Sequence, residues 1–193
     1  MSERNWQLPL RLAALGFFGV TVQIAAVSQI TIFGVSVDLA PLMVASVGLL
    51  AGSLPGAVFG FAVGLFVDLA LVQTLGVTSL LYILIGYGAG RLRELRDPAH
   101  GLVPVVVGAV ATAISTVGFA LMQFLLGIDA PVSWLLLRQV LIAILLGALF
   151  ALPVHALVRR IVRGALPDDP RRRRRRAYTT GGLSPLSRPS AGR

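Results

Sequence analysis

The sequence predicts an all-α polytopic membrane protein, a six-helix transmembrane bundle, and three observations predict it. Of 193 residues, 56% are hydrophobic and only 13% charged, with mean hydropathy +0.85, which is too apolar for a soluble domain of this size. Apolar runs fall at about 8–27, 39–52, 55–72, 76–90, 102–126 and 133–158. The charges between them alternate by side: Arg4 and Arg11 open the first run, Arg91, Arg93 and Arg96 follow the fourth, and Arg159, Arg160 and Arg163 follow the last. Asp38 and Asp129 lie in the connections after the first and fifth runs, Asp68 lies near the end of the third run, and the connections after these three runs hold no arginine. By the positive-inside rule both termini are cytoplasmic, so the number of spans is even.

The first run is long for a signal peptide, and Ala25-Ala26-Val27-Ser28 is a poor cleavage site, so it is expected to be retained. Residues 28–37 alternate in part and are β-branched, which suits a short extended segment or a tiny hairpin turning at Gly34 against the bundle. Asp38 with Pro41, and Asp129 with Pro131, each read as an N-cap followed by proline in the first helical turn. The second and fourth runs, at about 15 residues or roughly 22 Å, are short of the ~30 Å hydrocarbon core. They extend into polar flanks, thin the bilayer, or are re-entrant, which would leave four full spans. Trp6 and Trp134 fall at predicted boundaries as interfacial anchors, and Pro153 is placed to kink the last helix.

Residues 1–165 read as a single transmembrane domain and 166–193 as a disordered, arginine-rich cytoplasmic tail. Arg171, Arg172, Arg173, Arg174, Arg175 and Arg176 are candidate contacts for anionic lipid headgroups, at about 1 kcal/mol each near the surface. The plainer alternative is a solvated topology anchor. Without a folded reader or interleaved aromatics, the basic charge does not point to nucleic acid.

Gly56, Gly60 and Gly64 lie four apart and form one stripe on the third helix, with Asp68 continuing the row. Such a stripe admits a second backbone at close range, either within the molecule or from a partner. With Gly76, Tyr82, Gly86 and Tyr87 it makes up the candidate helix-packing or partner interface. Asp68 and Arg138 are the candidate intramembrane charges. Asp68 is a helix-end carboxylate, a buried partner for Arg138 or a ligand contact; Arg138 pairs inside the bundle or snorkels outward.

Catalytic constellations are missing. There is no cysteine, the two histidines His100 and His155 are too scattered for a metal site, and no P-loop, HExxH or nucleophile elbow occurs. No cofactor is expected, and the chain is not expected to be an enzyme.

Taken in order, Asp38-Leu-Ala-Pro-Leu, Gly60-Phe61-x-x-Gly64-Leu65-x-x-Asp68, Gly76 and Tyr82-x-x-x-Gly86-Tyr87 with Gly90 resemble the rod shape-determining protein MreD family. The resemblance is concentrated in residues 37–91, with Arg138 early in the last helix in looser support; Val37 stands where the family usually has proline. It implies a non-enzymatic membrane scaffold of the bacterial elongation machinery, in the inner membrane. That scaffold would bind MreC and, through it, be linked to MreB filaments and the RodA–penicillin-binding-protein synthase. It also implies a fold similar to the substrate-binding subunits of energy-coupling-factor transporters. That analogy supplies the alternative function, a small-molecule-binding or transport membrane subunit, for which Gln23, Gln29, Gln73, Thr74, Gln123 and Asp68 are the few polar residues on offer.

Overall fold

The computed structural model describes residues 4–23, 25, 31–32, 35–36, 38–95, 102–127 and 134–163. In chain order they form α1 (Arg4–Val22), β1 (Thr31–Ile32), β2 (Val35–Ser36), α2 (Ala40–Ala51), α3 (Ser53–Ala70), α4 (Val77–Leu95), α5 (Val103–Leu125) and α6 (Trp134–Val162). The all-α bundle expected from the runs is what they build. Asp129, Pro131, His100, Gly34 and the tail with Arg171–Arg176 lie outside the described residues.

α2 is apolar on every side, and all ten residues from Ala40 to Leu49 are buried. It packs against α3, α4, α5 and α6 and so forms the centre of the bundle. At 12 residues it reaches about 18 Å, well short of a bilayer core. Its length is tolerated because its neighbours, rather than lipid, cover it. A single residue, Gly52, joins it to α3, with φ +106 in a region that side chains other than glycine's rarely enter.

Among the described residues, three helices are long and apolar enough to cross a membrane: Ser53–Ala70, Val103–Leu125 and Leu137–Val162. α4 runs on past the hydropathy run, through Arg91, Arg93 and Glu94, because arginine and glutamate favour helix once they reach a polar end. Pro153 lies inside α6 without ending it. On α6, Leu141, Leu145, Leu149 and Leu152 form an exposed apolar stripe, the pattern of a lipid-facing surface.

The expected hairpin is present as two antiparallel residue pairs, Thr31 with Ser36 and Ile32 with Val35, and β2 rests against α6. The bundle has two unlike ends. At one, Arg11 Nη1 donates to the Ile161 carbonyl (3.2 Å) and Glu94 meets Ser53. At the other lie Asp38, the Asp68–Gly76 turn, and the far ends of α5 and α6 with Gln123 and Gln139.

Candidate functional site

The glycine stripe of α3 is filled by α4. A methyl at Gly60 would strike the Tyr82 carbonyl, one at Gly64 the Ser79 backbone, and one at Gly56 would lie 2.5 Å from the Gly86 carbonyl oxygen. Gly90 is equally close to Ser53. The helices run antiparallel, so each four-residue step up α3 meets a step of three or four down α4. Gly48 of α2 closes on the same Gly86 carbonyl, which brings three backbones to one point. The stripe is therefore an internal seam and offers no free face. Tyr82 is 2% exposed and belongs to that seam, whereas Tyr87 is 48% exposed on the opposite side of α4.

Asp68 and Gly76 build the turn between these helices. Asp68 is fully buried, and its Oδ2 accepts the Gly76 N–H at 2.8 Å, while its own carbonyl accepts the Gln73 N–H at 3.0 Å. Gly76 has φ +94 and no atom near its missing side chain, so backbone conformation rather than packing selects glycine there. Asp68 Oδ1 and Ser79 Oγ are buried without a hydrogen-bond partner. Arg138 is exposed on α6 and is not among the partners of Asp68.

A second polar cluster gathers around Asp38. Its Oδ1 accepts the Ala40 N–H (3.0 Å) and Gln23 Nε2 (3.3 Å), and its Oδ2 accepts the Tyr82 hydroxyl (3.3 Å). Gln23 returns its Oε1 to the Leu39 N–H at 3.0 Å. The expected capping role shifts by one position: Leu39 is the N-cap, without a side-chain cap bond of its own, and Asp38 ties down the first turn from just before it. Asp38 and Tyr82 border a cavity of about 450 Å³ whose wall also carries Gln73, Thr78, Ser115, Thr116, Gln123 and Gln139. Sequence reading offered Gln73 and Gln123 singly. It had no signal that α4, α5 and α6 would turn hydroxyls and amides toward one space.

At the arginine end, Glu94 Oε1 accepts both Ser53 Oγ (2.6 Å) and the Ser53 N–H (3.3 Å), and Oε2 pairs with Arg91 at 3.4 Å. A carboxylate at the start of α3 also meets the positive end of its dipole. The Ser53 hydrogen bonds hold the Glu94 carboxyl below its ordinary range.

Among the described residues there is no cluster of three or more metal-ligating side chains. The cavity groups are a carboxylate, a phenol, hydroxyls and amides, a set suited to holding a molecule. A family model for the rod shape-determining protein MreD matches residues 8–161. No curated protein and no solved structure matches, so the likeness to energy-coupling-factor subunits rests on the sequence resemblance alone.

Proposed function

The chain belongs to the rod shape-determining protein MreD family, and from that premise we infer that it is a non-enzymatic scaffold of the cell-elongation machinery. Family membership makes it a membrane protein that determines rod shape. The finer reading is that it sits in the inner membrane with both termini in the cytoplasm and binds the bitopic protein MreC. Through MreC it is coupled to MreB filaments and to the RodA–penicillin-binding-protein synthase, and so supports peptidoglycan synthesis. The family match carries this reading; the gathering of arginines at one end of the bundle supports the orientation.

With the glycine seam closed internally, a partner's transmembrane helix needs another surface. The outer flank of α3 and the adjoining side of α1 supply one, an apolar groove of about 590 Å³ walled by Leu12, Gly16, Phe17, Leu54, Val58 and Ala62. Small residues beneath larger ones suit a helix laid alongside.

The test is affinity purification of the tagged protein from its native membrane in mild detergent, with mass spectrometry of what accompanies it. MreC is expected with wild type and with Leu145→Trp on the far face of α6. It is expected to be lost with Ala62→Trp or Val58→Trp while the melting midpoint holds. Recovery of MreC by all the variants would move the interface elsewhere. Recovery of an ATPase module in place of MreC would favour the transport reading.

A further inference from the structure

We propose that the cavity bordered by Asp38, Tyr82 and Ser115 binds an amphiphilic amine, a protonated amino group carried on an apolar body. This goes beyond the scaffold role and does not depend on it. At about 450 Å³ the cavity falls within the range of small-ligand sites. Its charge is one-sided. Asp38 is held by three neutral donors, the Ala40 amide, the Gln23 side chain and the Tyr82 hydroxyl, and among the described residues no arginine or histidine lines the wall.

Neutral donors offset the loss of water around a carboxylate but supply no counter-charge, and a carboxylate lining a cavity in an apolar bundle favours one. An ammonium would gain a charge-assisted hydrogen bond from Asp38, with the Ser115 hydroxyl as a further acceptor. An anion would meet repulsion there. Leu71, Leu81 and Phe119, which also line the cavity, take the apolar body. The same ammonium chemistry is offered by an aminolipid headgroup and by a free alkylamine.

The test melts the purified full-length protein in a neutral detergent with dodecylamine, dodecanol or dodecanoate. A ligand that binds only the folded state raises the midpoint. Dodecylamine is expected to raise it in wild type, with no rise from the other two, and the rise is expected to vanish in Asp38→Asn and in Ala143→Trp. Ala143 lines the cavity away from the Asp38 hydrogen bonds, so its variant decides the matter if Asp38→Asn does not fold. Equal shifts from all three compounds, or an amine shift kept by Ala143→Trp, would overturn the proposal. Native mass spectrometry separates the two sources: an adduct of aminolipid mass or of a smaller amine, absent from Ala143→Trp, supports the site, and one retained there counts against it.

Discussion

Gly56 of α3 and Gly86 of α4 meet backbone to backbone, and each lies where the other's first side-chain carbon would have to go. A methyl on either would collide with the partner's carbonyl oxygen, and Gly48 of α2 presses on the same peptide. In a bilayer, where burial of apolar surface does not draw helices together, such close approach is a main source of packing energy. The order of the bundle therefore rests on positions that carry no side chain.

Gly86→Ala is expected to destabilise the protein by about 1–3 kcal/mol through overpacking, and Gly86→Leu by more. Gly88, two residues on, has nothing within 4 Å of its missing side chain. Gly88→Ala should be neutral or stabilising by up to about 1 kcal/mol, since alanine is the better helix former. Thermal melts of both variants in one detergent check the contrast; equal losses would mean that α3 and α4 are not in this register.

The Asp68–Gly76 turn needs an acceptor, not a charge. Asp68→Asn keeps an oxygen for the Gly76 N–H and should cost little, while Asp68→Leu removes that acceptor and should cost about 0.5–1.5 kcal/mol. Gly76→Ala, forced to φ +94, should lose about 1–2 kcal/mol. If Asp68→Asn is as damaging as Asp68→Leu, the negative charge has a role that the turn does not explain.

Glu94 sets a pH dependence. Its folded-state carboxyl titrates below the ordinary carboxylate range, so the folded state binds this proton less readily than the unfolded chain. Its contribution is present above the ordinary range and is lost as pH falls from there through the lowered folded-state value. The melting midpoint should therefore drop on acidification in wild type, and Glu94→Gln should flatten that drop. Identical pH profiles for the two proteins would show that the Ser53 contact does not hold Glu94 in solution.

Deleting Arg171–Arg176 should weaken binding to anionic liposomes, at about 1 kcal/mol for each arginine near the surface, while leaving binding to neutral liposomes unchanged. Unchanged affinity for both would make the tail a passive appendage.

The helical bundle was legible in hydropathy, and the four-residue spacing of Gly56, Gly60 and Gly64 announced a close backbone contact. The occupant of that stripe was less plain, because Gly86 and Gly90 carry their complementary spacing on the next helix, where single glycines say little. Asp68 was legible as a helix-end carboxylate, but its partner is a backbone N–H, which sequence does not display. Arg138, offered as its counter-charge, faces outward instead. The Asp38 cavity was the least visible feature. It is assembled from one to three polar residues on each of several helices, and none of these breaks its local apolar pattern enough to stand out.

The one-residue joint at Gly52 bears on how the protein enters its membrane during synthesis. α2, at 12 residues, is too short to hold a place in lipid alone, and in the finished bundle lipid scarcely touches it. It is therefore expected to be carried in by α3, with the insertion machinery handling the two as one folded-back unit. A nascent chain halted just after Gly52 should leave α2 unintegrated, and a chain extended past Ala70 should bring both helices in together. Glycosylation mapping of such truncated chains would show it, and early integration of α2 by itself would refute paired entry.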